Sequence, residues 1–173
     1  MDDKLTPRGI KVVVAGSAGV GKSTLIETCV SACGTTLPFE GAHYALNIFD
    51  NAASCVEDRP KLRQLCYPNT DVFLVCFSTI DRASLDAVAS AWLPDIKKHE
   101  PARPVLLVGL KSDLATADAA TAVGVAEAKA FAEGRGLVFF LCAAPDAAQA
   151  RAVFEAGLAA ALRGEPKPCC TML

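Results

Sequence analysis

The stretch Gly16-Ser17-Ala18-Gly19-Val20-Gly21-Lys22-Ser23 decides the fold. It fits the phosphate-loop pattern G-x-x-x-x-G-K-[ST], and it follows an apolar run, Ile10 to Ala15, and opens a helical pattern at Ser23-Thr24-Leu25-Ile26-Glu27. The glycines let the backbone curl so that successive amides face one anionic centre, and the helix adds its positive N-terminal end. Lys22 is expected to reach the β- and γ-phosphates of a nucleotide and the Ser23 hydroxyl to hold Mg²⁺. Gly16, Ala18, Gly19, Val20, Gly21 and Thr24 complete the expected cradle.

Working outward, residues 1 to 9 read as a loose lead-in and 10 to 163 as one domain. Apolar runs of strand length recur at Ile10 to Ala15, Tyr44 to Phe49, Val72 to Phe77, Val105 to Leu110 and Leu137 to Leu141. Helical patterns alternate with them over Lys22 to Cys33, Arg82 to His99, Ala122 to Glu133 and Ala147 to Arg163. A short surface helix is expected within Glu57 to Cys66, and Pro94 is expected to bend the second of the long helices. This alternation implies parallel β-α-β units, hence an α/β fold of three layers: a mostly parallel sheet of five to six strands with helices on both faces. Ligands in such sheets bind at the carboxyl ends of the strands, where the phosphate loop, Lys111-Ser112-Asp113-Leu114 and Cys142-Ala143-Ala144 all fall.

Bulk properties narrow the class further. A net charge of −2 offers no electrostatic footprint for nucleic acid. No apolar stretch approaches the length of a membrane span, and Met1-Asp2-Asp3-Lys4 lacks the apolar core of a signal peptide, so a cytosolic protein is expected. Cys29, Cys33, Cys55, Cys66, Cys76 and Cys142 are scattered, and only His43 and His99 are present to complete a metal site; the cysteines read as small buried hydrophobes.

With these motifs in hand the chain resembles a small GTPase of the Ras superfamily, in its Rho/Rac branch. Lys111-Ser112-Asp113 fits the K-x-D of the guanine-specificity motif. A carboxylate at Asp113 accepts from two guanine donors that adenine does not offer together, and the Lys111 stem lies along the base. The Rho-like character rests on residues 65 to 78, on Trp92-Leu93-Pro94-Asp95-Ile96 and on Pro104 to Gly109. The resemblance implies the P-loop small G-protein fold, GTP or GDP with Mg²⁺ as ligands, and effector and regulator proteins of Rho-type GTPases as partners of a monomer.

Departures from the family pattern bear on chemistry. Between Lys22 and Glu57 the chain is markedly short, so the first switch is truncated and the edge strand is expected to be lost. The switch threonine that completes Mg²⁺ coordination in the family falls to Thr35 or Thr36, neither well placed. Asp50-Asn51-Ala52-Ala53-Ser54 keeps the aspartate of D-x-x-G but not the glycine or the glutamine after it. Counting back from Glu57-Asp58, whose spacing to Tyr67 fits the second switch, puts Ala52 at the aspartate position instead; Asp50 is preferred because the sheet needs Tyr44 to Phe49 beside its first strand. Ser54, the remnant at the catalytic position, is too short to replace the glutamine. Ala18 crowds the attacking water and any arginine finger, Leu110 replaces the Asn or Thr before Lys111, Ala143 replaces a serine, and the Rho insert helix is missing between Leu114 and Ala122. Because positioning and charge stabilisation supply nearly all of the catalysis in phosphoryl transfer, slow or absent hydrolysis is expected.

The tail, 164 to 173, ends in Cys170-Thr171-Met172-Leu173, a loose C-a-a-X motif whose Leu favours geranylgeranyl, with Cys169 a second anchor by palmitoylation. The expectation is a switch protein attached to the cytoplasmic face of a membrane. The alternatives are a pseudo-GTPase scaffold that recruits partners without nucleotide cycling, and a P-loop kinase or ATPase of another family. The second is disfavoured by Lys111 to Asp113.

Overall fold

The structure is a computed structural model that describes residues 7–51, 60–115 and 121–163. Six strands form one sheet in the order β2-β3-β1-β4-β5-β6. They are β1 (Arg8–Ala15), β2 (Thr36–Phe39), β3 (Ala42–Asp50), β4 (Val72–Ser78), β5 (Val105–Leu110) and β6 (Val138–Leu141). Only β2 is antiparallel to its neighbour. β4 is buried at every position, as a central parallel strand must be.

Alternate residues of the strands feed two cores. Val12, Val14, Leu74, Cys76, Leu106 and Val108 pack against α1 (Lys22–Cys33) and α6 (Ala147–Arg163). Val13, Val75, Phe77, Leu107 and Phe139 face the other way, against the segment from Arg82 to His99 and α5 (Val125–Glu133). Between them along the chain lies the short α2 (Pro60–Gln64).

One expectation is corrected. The edge strand is present: β2 pairs with Ala42 to Ala45 of β3 through a tight turn at Glu40 and Gly41, both with positive φ. The link before β2 is only Gly34 and Thr35. The helix expected over Arg82 to His99 runs through Pro94. The chain runs as α3 (Arg82–Ala87), a π turn over Val88–Trp92 and α4 (Leu93–His99), with Leu93 N–H bonded to the Val88 carbonyl. Proline has no N–H for the fourth carbonyl back, and the wider π turn just ahead of it absorbs that loss without breaking the helix.

Candidate nucleotide-binding site

The phosphate loop is held by its backbone. Gly16 has φ 136°, and a Cβ there would lie 2.2 Å from the Cys76 carbonyl oxygen, so no other residue fits. Gly21, at φ 113°, turns the chain into α1. Lys22 is buried, and its Nζ donates to the carbonyls of Gly16 and Ser17, each at 2.6 Å, which stretches the ammonium across the loop. Below it, burial pushes the Cys76 thiol up to about 12 against the opposing pull of Lys22, so Cys76 stays neutral packing. Val20 is buried in the core and contributes backbone only, while Ala18 is exposed on the loop.

β3 brings the second component. Its register sets Asp50 beside Val14, and the Ser23 hydroxyl donates to Asp50 Oδ2 at 2.7 Å. Asp50 is therefore the carboxylate at the strand end. Ala52 and Ser54 lie outside the described residues, as do Cys55, Cys169 and Cys170. Ser23 and Asp50 fit Mg²⁺: a hydroxyl and one carboxylate, with waters and phosphate oxygens completing an octahedron, is the donor set that ion accepts.

Thr35 is not part of this group. α1 descends for 12 residues, about 18 Å, from the phosphate loop. The chain then enters β2 at once, with the Thr35 carbonyl accepting from Leu46 N–H at 2.7 Å. Leu46 stands four residues before Asp50, roughly 13 Å along the strand, so Thr35 is at the wrong level of the sheet to meet a metal held by Ser23.

The third component follows β5 and β6. Lys111 takes a left-handed conformation, φ 60°, and leads into a 3₁₀ turn, Ser112–Leu114, that exposes Asp113 and Leu114. Thr79 fixes this turn: its buried hydroxyl lies 3.0 Å from both the Leu110 and Lys111 carbonyls. The neighbouring loop is anchored by Cys142 N–H to the Gly109 carbonyl, 2.8 Å, and by Ala143 N–H to Gln149 Oε1, 2.8 Å. Asp146 in turn accepts from the amides of Ala148 and Gln149, capping α6. Ala144 is buried beside Gly21. Burial, then Asp146 and Asp113, push the Cys142 thiol up to about 12, so it too remains a neutral thiol.

Gly19, Gly21, Lys22, Ser23, Thr24 and Lys111 line a cleft of ≈ 330 Å³. Sequence reasoning found these residues and missed Thr79 and Gln149. Thr79 carries no pattern, but Asp146-Ala147-Ala148-Gln149 has the D-x-x-Q spacing of a helix start and could have been read.

A six-stranded, mostly parallel sheet with a phosphate loop after its first strand and a Lys-x-Asp turn after its fifth defines a P-loop small G-protein fold. The chain belongs to the Ras family, whose profile matches residues 11–163. Within that family it is Rho-like. It is similar to the Rho-related GTP-binding protein RhoV of Homo sapiens, Mus musculus and Bos taurus, each 40% identical over 61% of this chain and 50% of the relative. The chain thus spans about half the length of the curated relatives it matches. Among the described residues no helix is long and apolar enough to cross a membrane.

Proposed function

We propose that the chain binds GTP and GDP with Mg²⁺ at this cleft and hydrolyses GTP very slowly or not at all. The observation that carries the proposal is that Lys22, with its buried ammonium, and Ser23 line one cleft with Lys111, and that the Ser23 hydroxyl donates across 2.7 Å to Asp50 at the end of β3. Lys22 and the loop amides would hold the phosphates, Ser23 and Asp50 the Mg²⁺, and Asp113 with Lys111 the guanine. Bound Mg²⁺ supplies charge neutralisation at the phosphate oxygens.

Slow hydrolysis is supported by the two-residue link before β2, which leaves no threonine to close over the terminal phosphate. Ala18 on the exposed rim of the loop and the loss of the family's glutamine act in the same direction. Isothermal titration of GDP, GTP and ADP tests the binding reading: micromolar or tighter binding of both guanine nucleotides with no heat from ADP is expected, and equal affinity for ADP would remove the role given to Asp113.

The short link also favours a second reading, a scaffold that engages Rho-type effectors and regulators without nucleotide cycling. In either case attachment to the cytoplasmic face of a membrane through lipid on Cys170 and Cys169 belongs to the proposal. It is supported by the sequence of the tail and tested by mass spectrometry of the chain expressed in eukaryotic cells.

A further inference from the structure

At the end of the sheet opposite the cleft, a pocket of ≈ 130 Å³ opens where β5 and β6 begin. Its wall joins the last turn of α4, the link before β5 and the turn before β6, and three cations meet there: Lys97, Arg103 and Arg135. Among the described residues that line it, Glu100 is the one carboxylate. Arg103 is not spent on its neighbours. Its Nε stands 3.8 Å from Glu100 Oε2 and its Nη1 3.9 Å from Asp71 Oδ1, both beyond hydrogen-bond length. Arg135 is braced, with its guanidinium over the Phe131 ring at 3.8 Å and Nη1 donating to the Phe131 carbonyl at 3.2 Å, which leaves further N–H groups for a ligand. Three cations against one carboxylate are the complement of a phosphate monoester, which is close to doubly negative at neutral pH.

The pocket shares its end of the sheet with the start of the tail. α6 begins at the cleft end and runs 17 residues, about 25 Å, to Arg163. There Arg163 bonds Glu40 in the turn between β2 and β3 and lies over the Phe39 ring. Cys170 follows seven residues later, a reach of at most about 25 Å even when fully extended. A lipid on Cys170 therefore keeps this end, and not the cleft, beside the bilayer.

We propose that the pocket binds the phosphate monoester of a lipid headgroup, as in a phosphoinositide, and so sets the domain on the membrane with its nucleotide cleft turned away. The choice of a lipid to carry the phosphate rests on the membrane attachment proposed for the tail; the affinity of the pocket for a phosphate monoester does not.

Co-sedimentation tests it, with the full chain made in bacteria so that no lipid is attached and with excess GDP and Mg²⁺ to occupy the cleft. The vesicles are phosphatidylcholine alone or with a minor fraction of phosphatidylinositol bisphosphate. Binding should be about tenfold greater on the phosphoinositide vesicles, and Arg103→Gln and Arg135→Gln should each lower it about fivefold. Arg8→Gln, at the same end of the sheet but outside the pocket, should leave it nearly unchanged. Equal binding to both vesicles, or the same loss from Arg8→Gln as from the pocket variants, would overturn the proposal. Inositol trisphosphate should displace the chain from the vesicles; inorganic phosphate that displaces it equally well would reduce the pocket to an ion site and overturn the lipid assignment. A tail found unmodified in eukaryotic cells would remove the attachment, while the vesicle results would still decide the pocket.

Discussion

The hydroxyl of Ser23, in the first turn of α1, donates across 2.7 Å to the carboxylate of Asp50 at the end of β3. The phosphate loop and its neighbouring strand are therefore joined through the two groups suited to Mg²⁺. Asp50→Ala removes the carboxylate without touching the loop. GTP affinity measured with Mg²⁺ and with EDTA should then become the same, where the unmodified chain should bind more tightly with Mg²⁺ by about tenfold or more. A Mg²⁺ dependence that survives in the variant would place the ion elsewhere.

Two glycines of the loop should respond differently to alanine. At Gly16 the new methyl would meet the Cys76 carbonyl at 2.2 Å, whereas Gly19 has nothing within 4 Å. Gly16→Ala should cost on the order of 3 kcal/mol or more in urea unfolding, and Gly19→Ala only the left-handed backbone term of about 1–2 kcal/mol. Equal losses would contradict the close approach to β4.

Thr79→Val keeps the shape of a buried side chain and deletes the hydroxyl beside the Leu110 and Lys111 carbonyls. Stability should fall by about 1–2 kcal/mol, and guanine nucleotide affinity should weaken by roughly tenfold as the Asp113 turn loosens. A titration with unchanged affinity would remove Thr79 from the site.

Asp95, in the first turn of α4, gathers a cluster that gives the fold an acid-sensitive point. Burial alone would raise this carboxyl, but hydrogen bonds from Arg63 and Gln64, the Arg63 charge and the Tyr67 hydroxyl outweigh it and hold it below its ordinary value of 3.8. A depressed folded-state value means the contribution is complete above the unfolded value, near pH 4, and disappears as pH falls through the lower folded one. Asp95→Ala should cost about 3–5 kcal/mol at neutral pH, because Arg63 is left buried and unpaired, and the loss should shrink in acid. Chemical denaturation at pH 7 and pH 3 checks both the size and the sign.

How much of this was legible beforehand differs from residue to residue. The phosphate loop and Lys111 to Asp113 announce themselves because their chemistry needs those residue types at that spacing. The place of Asp50 at the end of β3, beside Val14, follows from the β1–β3 register, a long-range pairing that counting along the chain cannot supply. β2 escaped because four residues containing Pro38 make a poor strand by propensity; its pairing with β3 and burial of Leu37 override that. The π turn leaves the spacing of Leu85, Val88, Trp92 and Ile96 looking like ordinary helix. The Asp95 cluster joins residues about thirty positions apart, and nothing local marks them.

The central claim is that this cleft holds a guanine nucleotide and scarcely hydrolyses it. The most direct test is to denature freshly purified protein and separate the released nucleotides by anion exchange, with loading by added GTP measured in parallel. The account predicts near-stoichiometric guanine nucleotide with GTP persisting. Stoichiometric GDP alone would contradict the slow hydrolysis, and an empty cleft that also refuses added GTP would contradict nucleotide binding itself.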